Sequence, residues 1–229
     1  MELKILSWNI WINGYFDQVV EFLKKSQANI IGLQEVVDDN PKRDVINVLN
    51  MLGYEYVFGS AEHSWGGKVY RDGPAIFSKY KIAKKRIHIL SNKDKRAAVQ
   101  AEIEVGNKTL NVFSTHLVHA HQKKLEEQNI QAANLLKLLP SERTILMGDF
   151  NATPDSQVIK NFGKVLIDSD LGNFPTWSVY PEGCHVCNPQ AIDTKLDYIF
   201  TSKDIKSREF KVEESKASDH LPISVVINM

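Results

Sequence analysis

Residues 144–151 read Thr-Ile-Leu-Met-Gly-Asp-Phe-Asn, an apolar run of strand length that ends in two polar side chains. Such a run predicts a buried strand. Because side chains alternate in direction along a strand, Asp149 and Asn151 point the same way. A carboxylate placed there can take a proton from water while the amide holds an oxygen. Taken alone, the stretch fits an Asx-rich turn equally well.

The same pattern recurs along the chain, where apolar runs stop at residues that can bind a metal or carry a proton. Five further endings have this character: Ser7-Trp8-Asn9, Leu33-Gln34-Glu35, Ser114-Thr115-His116, Leu196-Asp197-Tyr198 and Ser218-Asp219-His220. Chance explains one such ending more easily than six. The six together predict one shared site.

Three of these residues offer oxygen ligands. Glu35 follows the apolar run Ile30–Leu33 and Asn9 ends the first run, while Asp219 precedes the last one. Each has an ordinary alternative, because carboxylates are often solvated at strand ends and asparagine often bonds its own backbone there. As a set, oxygen donors favour Mg²⁺ or Mn²⁺ over zinc.

His220 stands beside a carboxylate just before the final apolar strand. A histidine in such a place can act as acid, base or charge stabiliser, provided that a partner orients its other ring nitrogen. Asp197 is the candidate partner, because a neighbouring strand would bring it within hydrogen-bond reach. The alternative pairs Asp197 with Lys195 on the surface.

His116, His119 and His121 invite the interpretation of a zinc site. They straddle a junction between strand and loop, so they do not share one face as a three-histidine site requires. We expect His116 to point inward and His119 and His121 to be solvated. Cys184 and Cys187 flank His185 in half a zinc knuckle, which favours two free thiols over a structural metal.

Strand-length runs and helical periodicity alternate through the chain. Strands are predicted at Leu3–Trp8, Ile30–Leu33, Tyr54–Phe58, Ala75–Phe77, Ala97–Val105, Lys108–Thr115, Arg143–Met147, Leu196–Phe200 and Pro222–Ile227, and helices at Asp17–Ser26, Pro41–Leu52 and Gln122–Leu139. Asp17 is a candidate cap for the first helix. The mixture indicates two sheets packed face to face with helices outside. No linker interrupts the chain, so residues 1–229 are expected to form a single domain.

Composition narrows the class of protein. The 229 residues carry 28 basic and 28 acidic side chains, with 43% hydrophobic residues, as in a globular protein that has no global positive field. Charges at Glu2 and Lys4 leave too few apolar residues for a signal peptide or a membrane span. We therefore expect a cytoplasmic monomer.

In their order along the chain, the motifs resemble those of the endonuclease/exonuclease/phosphatase superfamily, which includes pancreatic-type deoxyribonuclease, abasic-site endonucleases, neutral sphingomyelinases and mRNA deadenylases. The matching stretches are Trp8-Asn9, Leu33-Gln34-Glu35-Val36, Thr115-His116-Leu117, Gly148-Asp149-Phe150-Asn151, Leu196-Asp197-Tyr198-Ile199-Phe200 and Ser218-Asp219-His220-Leu221-Pro222. The resemblance implies a four-layered α/β sandwich of two packed mixed β-sheets flanked by helices, with a site at one end of both sheets.

The resemblance also implies roles in hydrolysis of a phosphate ester by in-line attack of water. Glu35 would bind Mg²⁺, or Mn²⁺ in its place, Asn9 would position the metal or the phosphate, and Asp219 would support the metal through water. Asp149 would activate the attacking water and Asn151 would orient it. His220, held by Asp197, would stabilise phosphoryl charge, and His116 would contact a phosphoryl oxygen or protonate the leaving group.

Departures from the abasic-site enzymes narrow the expectation. Trp11 stands where many of them have Asp, and Lys195-Leu196 replaces their Arg before the Asp197 motif. Their tyrosine-containing segment at His116 is also missing. These differences argue against a dedicated abasic-site endonuclease.

Two segments are candidates for substrate binding, His63–Arg71 and Asn173–Tyr180, which we expect to be loops that present Arg71 and Trp177. Aromatic residues that merely anchor loops explain them equally well. A nuclease or DNA-end-processing phosphodiesterase is the leading hypothesis. A phospholipid or small-molecule phosphoesterase is the alternative, favoured by the pI of about 7.1. A binding protein with an inactive site is least favoured, since every expected polar position is filled.

Overall fold

The computed structural model describes residues 1–65, 67–120, 126–180 and 189–229, with side chains of residues 63–65 excepted. His121, His185, Cys184 and Cys187 lie outside these ranges, as does the side chain of Trp65. The described elements are β1 (Glu2–Asn9), α1 (Phe16–Ser26), β2 (Ile30–Val36), a 3-10 helix (Pro41–Arg43), α2 (Val45–Met51), β3 (Glu55–Phe58), β4 (Ala61–Trp65), β5 (Lys68–Ser78), β6 (Ile82–Ile89), β7 (Ala97–Val105), β8 (Lys108–His116), α3 (Glu126–Leu136), β9 (Thr144–Asp149), α4 (Gln157–Phe162), β10 (Ile167–Asp168), β11 (Asp197–Thr201), β12 (Lys206–Val212) and β13 (Ile223–Asn228).

The strands form two mixed sheets. One is seven-stranded, in the order β12-β13-β1-β2-β5-β3 with β4 paired to β5, and the other is six-stranded, in the order β10-β11-β9-β8-β7-β6. Each contains one parallel pair among antiparallel ones, β1 with β2 and β8 with β9. The predicted pair of mixed sheets is confirmed.

Apolar side chains fill three spaces between four layers. Ile5, Val112 and Met147 belong to the cluster between the two sheets. Helices α1 and α2 contribute residues such as Leu23 and Leu49 to a cluster on the outer face of the seven-stranded sheet. Helices α3 and α4 do the same on the outer face of the six-stranded sheet. This arrangement is the predicted four-layered sandwich.

The helices differ in detail from the prediction. Tyr15, and not Asp17, occupies the position before α1, and it makes no side-chain cap. The predicted helix Pro41–Leu52 is divided, because the Asp44 side chain accepts a hydrogen bond from the Asn47 backbone N–H at 2.9 Å and starts a new helix there. None of the helices in the described ranges is both long and apolar enough to cross a bilayer.

Several strands were not predicted from the sequence. Strands β6 and β12 alternate exposed and partly buried residues and carry many charges, so they lack the apolar runs on which the prediction depended. The segment His63–Arg71, predicted as a loop, is instead a hairpin of β4 and β5 in which Trp65 pairs with Lys68. Gly67 at its turn has φ +76°, a conformation that glycine adopts without strain.

A polar layer lies between the sheets at the end of the sandwich where the strand-end motifs gather. The buried Gln34 side chain donates from Nε2 to Ser114 Oγ at 3.2 Å and to Ser7 Oγ at 3.5 Å. Ser7 belongs to β1, Gln34 to β2 and Ser114 to β8. These contacts join the two sheets directly beneath the motif residues.

Candidate active site

Strand register places three site residues in one row. In the six-stranded sheet, His116 of β8 pairs with Asp149 of β9, and Asp149 pairs with Asp197 of β11. Gly148 makes this close approach possible, because an added Cβ would lie 2.0 Å from the Thr115 carbonyl oxygen, and because its φ is +146°. The row fixes the spacing of a histidine and two carboxylates through backbone pairing.

Glu35 stands at an irregularity of β2. Its φ is +59°, and the pairing of β2 with β5 shifts register between Leu33 and Val36. A bulge of this kind redirects a side chain at the end of a strand. The redirected carboxylate accepts a hydrogen bond from the Ile12 backbone N–H at 2.7 Å through Oε2 and one from Asn9 Nδ2 at 3.1 Å through Oε1.

Asn9 joins the carboxylates of the two sheets. Its Oδ1 accepts from the Trp11 N–H at 3.0 Å, which directs Nδ2 toward both Glu35 Oε1 and Asp149 Oδ2, each at 3.1 Å. Because the amide oxygen already faces a backbone donor, Asn9 is placed to position carboxylates. The geometry fits this positioning role better than direct ligation of a metal.

Asp149 lies at the centre of the site and is buried, with 1% of its surface exposed. Its Oδ1 accepts from the Asn151 N–H at 2.8 Å, and Asn151 Nδ2 lies 3.4 Å from Asp149 Oδ2. Asn151 has φ +48°, so it turns back toward Asp149 directly after the strand. The two side chains converge as predicted, but the left-handed turn at Asn151, and not the alternation of a strand, brings them together.

The predicted contact between Asp197 and His220 is present. His220 Nδ1 lies 2.8 Å from Asp197 Oδ2, and both side chains are buried. Thr176 Oγ1 donates to the same carboxylate oxygen at 2.6 Å. Lys195, the surface alternative, instead binds Asp168 at 2.7 Å and Asp170 at 3.0 Å in a buried cluster.

Asp219 is held by the indole of Trp177, whose Nε1 donates to Asp219 Oδ2 at 3.2 Å. We expected Trp177 to offer a face to substrate, but only 5% of it is exposed. Burial against the site leaves little surface for stacking, so the geometry supports contact with Asp219 better than contact with substrate. Arg71 is exposed on β5, where its Nε donates to Ser60 Oγ at 3.3 Å.

His116 and His119, at and after the end of β8, agree only in part with the prediction. His116 points inward as expected, with Nε2 3.4 Å from Asp149 Oδ2 and Nδ1 3.1 Å from Nη1 of Arg96. His119 was predicted to be solvated, which is wrong. Its Nδ1 lies 3.0 Å from Asn151 Oδ1, because the chain after β8 turns back over the Asp149–Asn151 segment.

Residues that the sequence did not single out support this segment. Gln128 of α3 donates from Nε2 to the carbonyl oxygens of Val118 at 2.9 Å, Phe150 at 3.1 Å and Asn151 at 2.8 Å. Arg96 and Thr176 are the other unpredicted contributors. Their contacts depend on pairing between distant parts of the chain, and neither residue follows an apolar run.

Burial and crowding of charge shift the protonation of the site. Burial raises the pKa of Asp149 to about 7, with Asp197 adding repulsion, and burial likewise raises the pKa of Asp219 to about 7, with Glu35 adding repulsion. Burial alone would lower the pKa of His220. The charges of Asp197, Asp149 and Asp219 outweigh it, so this pKa lies well above 6.5.

Two groups of side chains invite comparison as metal sites. Asp149, Asp197 and His220 have ligand atoms within 4.8 Å of one another. The raised pKa of His220 favours its protonated form, and the ring is hydrogen-bonded to Asp197, so this trio suits proton transfer better than ligation. Glu35 and Asp219 form the other group.

The donor chemistry of Glu35 and Asp219 fits a divalent cation. Both offer carboxylate oxygens, and a bound cation would relieve the repulsion from Glu35 that adds to burial in raising the pKa of Asp219. Asn9, bonded to Glu35, would hold that carboxylate in place. The residues present therefore fit Mg²⁺ or Mn²⁺ at this point of the site.

A sandwich of two mixed sheets with carboxylates, amides and two histidines at one end defines a deoxyribonuclease-I-like hydrolase. The family model described as the Endonuclease/Exonuclease/phosphatase family matches residues 6–220. The chain belongs to this family, whose members hydrolyse phosphate esters. No curated protein sequence matches it significantly.

Solved structures share the fold at low sequence identity. An endonuclease/exonuclease/phosphatase from Beutenbergia cavernae is 19% identical with a TM-score of 0.80, over 100% of this chain and 72% of that one. ANGEL2, a 2',3'-cyclic phosphatase, is 16% identical with a TM-score of 0.77, over 99% and 95%. A mannosyl-6-phosphatase from Bacteroides thetaiotaomicron is 18% identical with a TM-score of 0.72, over 99% and 100%.

Proposed function

We propose that this protein is a divalent-metal-dependent phosphoesterase that hydrolyses its substrate by in-line attack of water. One observation carries the proposal: the Asp149 carboxylate, buried at the sheet ends, has a histidine on each side and an amide bonded to each oxygen. His116 Nε2 and His220 Nε2 lie 3.4 Å and 3.6 Å from Asp149 Oδ2. This is an arrangement for taking a proton from water beside groups that hold a phosphoryl oxygen.

Each residue of the site has a separate role in the proposed reaction. Asp149 accepts the proton of the attacking water, and Asn151 orients that water. His220 presents a protonated ring to the developing charge, because Asp197 holds its other nitrogen at 2.8 Å. Glu35 and Asp219 would hold Mg²⁺, with Asn9 positioning Glu35. Bound there, the metal would act as a Lewis acid toward the phosphate ester.

For the substrate, we propose a phosphodiester in nucleic acid, in a nuclease or end-processing reaction. Arg71 is exposed on the β4–β5 hairpin and is available to a phosphate. Support by analogy comes from ANGEL2, whose structure has been solved with adenosine-2',3'-vanadate. Trp177 gives no support to a nucleic-acid substrate, because its side chain is buried.

A small-molecule phosphoesterase is the second candidate. The balance of 28 basic and 28 acidic residues gives no global attraction to a polyanion. The similar fold of a mannosyl-6-phosphatase favours the same reading by analogy. A phospholipid headgroup belongs to this alternative.

One activity panel tests both levels of the proposal. Purified protein is assayed with Mg²⁺, with Mn²⁺ and with excess chelator on single- and double-stranded DNA, RNA, a 2',3'-cyclic nucleotide, sphingomyelin and sugar phosphates, with Asp149→Asn as the inactive control. We expect hydrolysis that chelator removes and metal restores. Hydrolysis unaffected by chelator, or equal in Asp149→Asn, would refute the mechanism.

Salt dependence then separates the substrate classes. A nucleic-acid substrate should lose apparent affinity steeply as salt rises, because binding releases counterions from its phosphates. A sugar phosphate or cyclic nucleotide should lose little. Hydrolysis restricted to small phosphomonoesters, with a shallow salt dependence, would replace the nucleic-acid proposal with the second candidate.

A further inference from the structure

Arg96 lies behind His116, on the side of the ring away from Asp149. Its guanidinium Nη1 is 3.1 Å from His116 Nδ1, and both residues are buried, with 7% and 6% of their surfaces exposed. Arg96 directly precedes β7, 20 residues before His116. Neither the role nor the contact follows from a motif in the sequence.

The contact determines which ring nitrogen of His116 carries the proton. A guanidinium has donors and no acceptor, so Nδ1 can take part in this bond only through its lone pair. The proton of the neutral ring must then be on Nε2. That nitrogen is on the Asp149 side of the ring, 3.4 Å from Asp149 Oδ2. The contact with Arg96 selects this tautomer, and the position of the Asp149 carboxylate is compatible with it.

We propose that Arg96 is a positioning residue that fixes His116 as the neutral tautomer protonated at Nε2. Given the proposed phosphoesterase function, on which this consequence rests, His116 donates a hydrogen bond to a phosphoryl oxygen. It does not protonate the leaving group, because surrender of its single N–H proton would leave an imidazolate anion. Arg96 therefore decides between the two roles considered for His116.

Hydrogen bonds fix the backbone around Arg96, and this holds the guanidinium in position. The Arg96 N–H donates to the Asp94 carbonyl at 2.7 Å, and the Arg96 carbonyl accepts from the Leu90 N–H at 2.9 Å. Gln131 of α3 donates to the same Asp94 carbonyl at 3.0 Å. The Asp94 carboxylate lies 3.7 Å from Arg96 Nε and balances its charge.

His220 shows the opposite arrangement within the same site. Its Nδ1 faces the carboxylate of Asp197 at 2.8 Å, whereas Nδ1 of His116 faces a cation. A carboxylate partner favours the imidazolium, and a guanidinium partner excludes it, because protonation of Nδ1 would remove the acceptor. Two histidines on either side of Asp149 are thus given different protonation states.

Ring ¹⁵N NMR of the wild-type protein tests the assignment directly. The signals of His116 are identified by their absence from the spectrum of His116→Gln. At neutral pH we expect a protonated Nε2 and an unprotonated Nδ1. A proton on Nδ1, or a doubly protonated ring, would overturn the proposal without any need for an activity measurement.

Arg96→Met and Arg96→Lys test the part played by the guanidinium. In Arg96→Met the ring should populate both tautomers, and kcat should fall roughly 10- to 100-fold with KM nearly unchanged, the size expected for one misplaced donor. Arg96→Lys keeps a cationic donor and should recover part of both readouts. The matched control is Arg86→Met on β6, whose partner is Glu102 at 2.7 Å. It should change neither.

The possible results distinguish the role of Arg96 from the proposed hydrolytic function. An unchanged tautomer in Arg96→Met would refute the role of Arg96 even if the protein is an active phosphoesterase. The expected tautomer in a protein without hydrolytic activity would refute the proposed function and leave the Arg96 assignment standing. If Arg96→Met fails to fold, the wild-type spectrum and Arg96→Lys decide.

Discussion

The two sheets deliver different chemistry to the same site. From the seven-stranded sheet come Asn9 and Glu35, with Asp219 just before β13, a set rich in oxygen donors. From the six-stranded sheet come Asp149 and Asp197 with His116, a set suited to holding and moving protons. His220 begins beside Asp219 and is turned toward the second set by Asp197.

If the proposed function is right, the contrast predicts that metal binding and water activation can be separated by substitution. The second set is positioned by strand register, whereas Glu35 of the first set stands at a bulge of β2 and Asp219 precedes β13. Asn9 joins the two sets by donating to one carboxylate of each. A substitution in one set should therefore alter one parameter of the reaction and spare the other. Four substitutions, in decreasing order of expected effect, test that separation.

Asp149→Asn should have the largest effect, because it removes the carboxylate that we propose activates water and keeps the shape of the side chain. We expect kcat to fall about 100- to 1000-fold, the usual cost of one preorganised catalytic group. The Mg²⁺ concentration for half-maximal rate should stay near that of the wild type. Steady-state rates across a Mg²⁺ titration measure both quantities, and a large shift in metal requirement would contradict the division between sheets.

Glu35→Gln should affect the other parameter. Loss of the carboxylate charge should raise the Mg²⁺ concentration for half-maximal rate by roughly 10- to 100-fold, as found for groups that hold or orient metals. The rate at saturating Mg²⁺ should recover most of the wild-type value. Isothermal titration with Mg²⁺ in the absence of substrate provides an independent measurement. Unchanged metal affinity would remove Glu35 from the metal set.

Thr176→Val removes the hydroxyl that donates to Asp197 Oδ2 at 2.6 Å. We expect kcat to fall about 10-fold, since a hydrogen bond to a charged group contributes roughly 1.5–3 kcal/mol. Thr176→Ser retains the hydroxyl and is the matched control. The His220 ring signals should shift in the valine variant alone. A fall in both variants would point to packing instead.

Trp177→Phe should have the smallest of the four effects, and that effect should be on metal binding. It removes the indole donor 3.2 Å from Asp219 Oδ2 and keeps an aromatic ring. The Mg²⁺ concentration for half-maximal rate should rise about fivefold, in line with about 1 kcal/mol for a net hydrogen bond. Since Thr176 and Trp177 are neighbours on one segment, a loss of kcat in Trp177→Phe would show that the segment acts as a unit.

The strand-end residues could be predicted from sequence because two signals coincided at each of them. A buried strand needs an apolar run, and a polar side chain at its end stands out against that run, as Asp149 does after residues 144–147. The order of the endings along the chain then carried the family resemblance, and that resemblance implied the four-layered sandwich. Strands β6 and β12 lacked the first signal, because each exposes charged residues along one side.

Arg96 and Thr176 could not be predicted, because their partners are chosen by tertiary structure. Arg96 meets His116 only through the antiparallel pairing of β7 with β8, and Thr176 meets Asp197 only because Trp177 bridges to Thr194 and His220. His119 was misjudged for the same reason. Position in a loop says little about a side chain when the loop folds back over the site.

Gly148 has a consequence for anyone who would redesign this protein. Its missing side chain allows β8 and β9 to approach until a Cβ would lie 2.0 Å from the Thr115 carbonyl. Hairpins and loops around the site can be exchanged to admit new substrates, but a library that randomises residue 148 should return glycine among its active members. New specificity in this fold therefore has to come from positions other than residue 148.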